Sequence, residues 1–182
     1  MTLIELFTAI RAQYAQELAD AIAASDAHVE PAFRIESGDL AVSGPLDLPY
    51  RADLIPRGGD GSSVMVNSTS SLGFEPFTVA YGECRLSVSP FVWDWTKVTV
   101  SGLSEEETSK VLKAWFLRWF DPDDANQADG QGLFGVVHYL GEPKGIEGGV
   151  EWTVDFGSAP PEAVQDMIDR LETHGAKEVS LS

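Results

Sequence analysis

The sequence predicts an α+β fold in which a C-terminal β-α-β-β-α-β unit, a split βαβ sandwich, follows one helix and an antiparallel β-meander. Three observations predict it. A strand that runs straight into a helix occurs twice: residues 95–100 lead to a helix opening at Ser104, and residues 152–156 lead to one opening near Pro160. Between them lie a strand at residues 133–140 and a Gly-rich connection, and a last strand, residues 178–181, follows the second helix. Upstream, helical spacing gives way near Ala32 to short apolar runs separated by turn residues.

The first helix opens on Thr2-x-x-Glu5, a capping-box pattern. Leu3, Leu6, Phe7, Ile10, Tyr14, Leu18 and Ile22 recur at helical spacing, and the helix ends around Ser25. Such a face suits core packing, with a dimer or partner face as the alternative. The meander is read as strands at residues 32–36, 40–42, 50–55, 63–67, 74–81 and 85–89, with Gly38 and Gly82 in turns. Pro45, Pro49, Pro56, Pro76 and Pro90 mark strand ends or edges.

The helix after Ser104 has a second capping box, Ser104 with Glu107. Val111, Leu112, Trp115, Phe116, Trp119 and Phe120 cover about half of its circumference, a face wide enough to be the largest contributor to the core. The final helix begins at Pro160-Pro161, presents Ala163, Val164, Met167, Ile168 and Leu171, and ends at Gly175. The strand at residues 133–140 is apolar on both sides, whereas helices of a split βαβ unit, the arrangement called ferredoxin-like, cover one sheet face only. The expectation is therefore that the N-terminal helix or meander covers the other face. One domain, residues 1–182, follows, with subregions 1–90 and 91–182 and no linker between them.

With 12 Lys and Arg against 29 Asp and Glu, the formal charge is -17 and the pI near 4.3. This argues against binding a nucleic-acid backbone or an anionic membrane, and it suits solubility and the steering of basic partners. The lone cysteine, Cys84, excludes an internal disulfide and lies where a half-buried inert thiol is expected. No apolar run is long enough to span a bilayer, and the first residues lack a basic signal-peptide region, so a soluble cytoplasmic protein is the expectation.

Several segments hold residues capable of chemistry. Residues 121–130 form the densest acidic stretch, but an EF-hand frame starting at Asp121 puts Ala125, Asn126 and Gly132 at positions 5, 6 and 12, so that spacing fails. Asp121, Asp123, Asp124 and Asp129 are instead candidates for contact with a basic partner. The Gly-rich run at residues 57–62 leads into an apparent strand and lacks a following Lys, so it reads as a hairpin turn and not as a phosphate cradle. His28, His138 and His174 show no metal-ligand spacing. His138 falls in a strand where Asp155 or Glu151 could neighbour it, a pairing that serves structure more often than acid–base chemistry. Trp93 and Trp95 share a face if residues 92–95 are extended, and aromatics among acids make anchors for a protein partner.

No catalytic motif and no cofactor signature stands out. The expectation is a non-enzymatic module that captures or neutralises a protein partner, with a homodimer compatible. The order of helices and strands is similar to that of type III secretion chaperones, and the acidity and size resemble those of bacterial toxin-immunity proteins; either resemblance implies protein capture, and neither supplies site residues. The alternatives are a small-molecule or metal-binding domain using a cavity between meander and sheet, and an enzyme with a site at His138 and Asp155.

Overall fold

The computed structural model describes residues 1–182. In chain order the elements are α1 (Leu3–Ala24), β1 (Ala27–Val29), β2 (Leu54–Pro56), β3 (Phe77–Tyr81), β4 (Cys84–Val88), β5 (Thr96–Ser101), α2 (Glu105–Phe120), β6 (Tyr139–Leu140), β7 (Lys144–Ile146), β8 (Gly149–Asp155), α3 (Pro161–Thr173) and β9 (Glu178–Leu181). The fold is α+β, with three helices, a seven-stranded mixed sheet and a two-stranded antiparallel sheet of β1 and β2.

The large sheet runs β3-β4-β9-β5-β8-β6, with β7 also paired to β8. Only β4 and β9 are parallel; every other pairing is antiparallel. β6 and β7 are two pieces of one edge. Residues 141–143 oppose only Trp152 and Thr153, and this bulge needs Gly141, where a Cβ would meet Thr153 Oγ1 at 2.6 Å.

Both predicted capping boxes are present: Thr2 with Glu5 opens α1, and Ser104 with Glu107 opens α2. The predicted core faces are buried. Val111, Leu112, Trp115, Phe116 and Phe120 of α2 are shielded, Trp119 is half-buried, and all five named residues of α3 are shielded. Trp115 lies against Phe156 and donates its indole N–H to the Ala163 carbonyl at 2.8 Å, tying α2 to α3.

Strands β4, β5, β8 and β9 alternate strictly. Leu86, Val88, Val98, Val100, Trp152, Val154, Val179 and Leu181 are buried, while Arg85, Ser87, Lys97, Thr99, Glu151, Thr153 and Ser180 between them are half-buried or exposed. All three helices lie on the apolar side, since α1 packs on α3 and α3 on α2. This limits the expectation that N-terminal elements cover the second face: residues of the N-terminal segment reach only its Tyr139 and Asp155 end, and the rest is open. That face is polar and crossed by the ion pairs Arg85–Glu178 and Lys97–Glu151.

The reason lies in residues 133–140. They were expected to form an eight-residue strand, yet only Tyr139 and Leu140 pair in the sheet as a strand. Leu133, Val136 and Val137 are buried because the chain leaves the sheet and passes between the end of α2 and the turn before α3: Val137 N–H donates to the Trp119 carbonyl, and Ala159 N–H to that of Val136. Apolar residues on both sides thus mark a buried crossing.

The meander is also sparser than expected. β3 and β4 form the hairpin around Gly82, whose φ is 56°. Upstream, only residues 27–29 and 54–56 make strands, and the rest is held by isolated bridges: Ala32 with Arg51, Arg34 with Leu40, Leu54 with Val64. The last brackets the Gly-rich run at 57–62, which is the expected hairpin turn. This segment packs against the β6 edge and the C-terminal end of α2. No helix is long and apolar enough to cross a membrane.

Candidate functional site

The segment between β1 and β2 carries three buried charged residues, Glu30, Arg51 and Asp53. Burial of a charge demands partners, and each has them. The Arg51 guanidinium donates to the carbonyls of Phe120, Asp121 and Glu30 and to Asp124 Oδ1 at 2.8 Å, and lies over the Phe120 ring. It thereby caps the C-terminal end of α2, where carbonyls lack helical partners and cations are favoured. Arg11 of α1 serves the chain before α3 in the same way, donating to the carbonyls of Ser158 and Ala159.

Glu30 reaches under the fold and accepts four bonds: from Ser158 N–H and Oγ, from Phe134 N–H, and from the His138 ring at 2.6 Å. Burial pushes its carboxyl up, but the His138 bond and charge and the Ser158 and Phe134 donors outweigh this, and the acid ends below its ordinary value. Asp53 stands on the other side of the same imidazole, its Oδ1 2.8 Å from His138 Nδ1. It also accepts from the Tyr14 hydroxyl at Oδ1 and from Val66 N–H at Oδ2. Its carboxyl is likewise lowered, burial being outweighed by His138, Val66 and Tyr14.

His138 is fully enclosed. Gly157 presses on its ring so closely that a Cβ there would lie 2.2 Å from Cδ2, and Gly157 has φ 50°, so any other residue would be displaced. Nε2 is engaged by Glu30, but Nδ1 has no aligned hydrogen bond: its short approach to Asp53 is out of line with a ring N–H. Burial pulls the imidazole pKa down, yet the flanking Asp53 and Glu30 with nearby Asp155 raise it to about 10. An imidazolium held this way is a poor general base at neutral pH.

Asp155, at the end of β8, completes the centre. One oxygen lies 3.9 Å from His138 Nδ1, and Oδ1 accepts Gly157 N–H at 2.8 Å. Its side chain is 17% exposed, and burial, eased by His138 and reinforced by the Asp53 charge, raises its pKa to about 7. It is the group placed to exchange a proton near neutrality.

Asp53 and Asp155 line a cleft of about 310 Å³ between the N-terminal segment and the sheet, walled by Phe33, Tyr50, Trp95 and Tyr139. The expectation of a cavity at that junction therefore has a physical counterpart, and the neighbourhood of His138 and Asp155 was legible, although Glu151 lies elsewhere, paired with Lys97. Glu30, Asp53, Arg51 and Ser158 were missed. The available signal was single charges set among apolar residues, as in Val29-Glu30-Pro31-Ala32 and Ala52-Asp53-Leu54.

The two indoles part company. Residues 93–95 form a 3-10 turn, not a strand, so Trp93 turns inward onto Phe156 and is 1% exposed, while Trp95 turns outward and is 54% exposed. Trp93 is thus not at the surface. Trp95 stacks on Tyr139, ring centroids 6.1 Å apart and planes within 11°. The acidic stretch is tethered: Asp124 bridges Arg34 and Arg51, Asp121 accepts Asn126 N–H, and Asp129 accepts the N–H groups of Gln131 and Leu133. Asp123 is exposed.

A larger cavity, about 580 Å³, opens between β1 and this acidic loop, but its Arg34, Arg51 and Arg57 are all paired with carboxylates. His28 and His174 are exposed, and burial pushes the Cys84 thiol up, as suits an inert residue. Comparison of the chain with protein-family models, curated proteins and solved structures finds no match.

Proposed function

We propose that the protein is a non-enzymatic binding module that captures a basic protein partner, with Trp95 as the anchor. The carrying observation is the exposed indole of Trp95 stacked on Tyr139 beside acidic side chains. A groove of about 450 Å³ runs from this pair along Glu142, Lys144 and Glu151 on the open sheet face. Rigid aromatic anchors dominate protein interfaces, and a strongly acidic molecule steers a basic partner. The net charge of -17 supports the basic character of the partner. The sheet order β9-β5-β8-β6, antiparallel throughout, supports a ferredoxin-like reading of the C-terminal half. Capture in the cytoplasm, in the manner of an immunity protein or a secretion chaperone, fits this picture.

The experiment is a pull-down from a lysate of the natural source with wild-type and Trp95→Ala baits, washed at low and high salt. Capture by this surface predicts one stoichiometric basic protein held by the wild type, released by high salt and lost with Trp95→Ala. Retention indifferent to both salt and Trp95, or no retention, overturns the reading.

A further inference from the structure

We propose that Asp53, His138 and Asp155 form a binding site for a first-row divalent transition metal ion, zinc foremost, with its open side toward the cleft beneath Trp95 and Tyr139. The three side chains can each direct one ligand atom to a common point, these atoms lying within 4.8 Å of one another. A metal about 2.1 Å from each ligand holds neighbouring ligands about 3 Å apart and wider pairs about 4 Å apart. His138 Nδ1 is 2.8 Å from Asp53 Oδ1 and 3.9 Å from Asp155 Oδ2, both separations close to those that two ligands of one metal take.

The second observation is the state of Nδ1. It is completely buried, faces both carboxylates and has no aligned hydrogen bond. Orphaned buried polar atoms are rare and mark sites where something else binds. The other atom of each ligand is fixed by the protein. Glu30 Oε1 holds Nε2, Val66 N–H holds Asp53 Oδ2, and Gly157 N–H holds Asp155 Oδ1. A carboxylate on the far nitrogen of a ligating histidine sets its tautomer and raises its basicity, and Glu30 is itself locked by Ser158 and Phe134.

Charge and donor type agree. Glu30, Asp53 and Asp155 put three carboxylates around one imidazole, and a dication would take the place of the His138 Nδ1 proton, which leaves to solvent, while Nε2–H stays on Glu30. One imidazole with two carboxylates suits zinc, iron or manganese better than calcium or magnesium, which prefer all-oxygen cages. Three protein ligands leave at least one coordination position facing the cleft. This inference goes beyond the partner surface and does not rest on it.

The test uses the full chain, stripped with EDTA and titrated with zinc alone. Thermal unfolding should show one tight site, with Tm rising by roughly 5–10 °C at about a hundred times Kd. Asp155→Asn, whose remaining oxygen still accepts Gly157 N–H, should weaken that site by about 100-fold or more. Nitrogen NMR of the wild type labelled at its three histidines should move the Nδ1 resonance of His138 alone, whether or not the variant folds. No Tm rise, an equal rise in Asp155→Asn, or an unmoved His138 resonance overturns the proposal and leaves His138 as an imidazolium clamped by carboxylates. Pull-down with the Trp95→Ala bait reads the partner surface separately.

Discussion

Residues 96–181 and residues 27–66 are held in place by different forces. The first region buries regular apolar faces: β5, β8 and β9 present valine, leucine and tryptophan to α2 and α3, with few polar contacts inside. The second has only two three-residue strands and docks through buried charges: Arg51 onto the end of α2, Glu30 and Asp53 onto His138. Apolar packing degrades gradually, since a neighbour can relax into lost volume. A buried ionic contact fails abruptly, because removing one partner strands the other charge without water.

The two largest expected effects test this contrast at equal cost. Glu30→Ala should destabilise by about 3–5 kcal/mol and Trp115→Ala by about 3–5 kcal/mol, both read by denaturant unfolding. Hydrogen exchange should then separate them. Glu30→Ala should release residues 27–66 while α2 and β8 stay protected, and Trp115→Ala should lower protection throughout. If Glu30→Ala loosened α2 and β8 equally, the two regions would be one cooperative unit and the contrast would fail.

Next comes pH, measured on metal-free protein in EDTA. Glu30 and Asp53 have lowered pKa values, so their contribution is complete above their ordinary values near 4.5 and 3.8 and is lost as pH falls through the lower folded ones. His138 is raised, so its contribution is complete below 6.5 and lost as pH rises through about 10. Asp155 is a raised acid and favours the fold while protonated, a contribution lost between 3.8 and about 7. Stability should peak mildly acidic and decline on both sides, and protection of residues 27–66 should fall first. A peak near pH 9 would show that His138 is neutral and that the clamp is misassigned.

The smallest effect sharpens the comparison from the open face. Lys97 pairs with Glu151 at 3.3 Å, but both are well solvated. Lys97→Ala should change stability by no more than about 0.5 kcal/mol. A loss several times larger would mean that this face is covered, contrary to its alternating polar pattern.

The same division explains what could be read from sequence. The faces of α2 and α3 were legible because burial there follows the 3.6-residue helical period, and β9 because it is short, apolar on one side and bounded by Gly175 and Lys177. Residues 32–67 resembled strands in composition, but their conformation is set by bonds from Glu30, Arg51 and Asp53, whose partners lie from 13 to 128 positions away. The inward turn of Trp93 was equally hidden, since a 3-10 turn and an extended segment leave the same local pattern in Val92-Trp93-Asp94-Trp95. Of the centre, His138 and Asp155 could be suspected as neighbours; Asp53 could not, because only tertiary docking brings it there.

β9 lies between β4 and β5, in the interior of the sheet, although it is made after every other strand. During synthesis β4 and β5 therefore wait with facing edges unpaired until residue 181 emerges, and the hairpin of β3 and β4 has no route into the sheet except through those four residues. Unpaired edges are templates for pairing with another chain, and non-local strands form slowly. The nascent protein is thus most vulnerable to aggregation just before its translation reaches β9, and loss of Glu178–Leu181 would split the sheet in two rather than merely trim it.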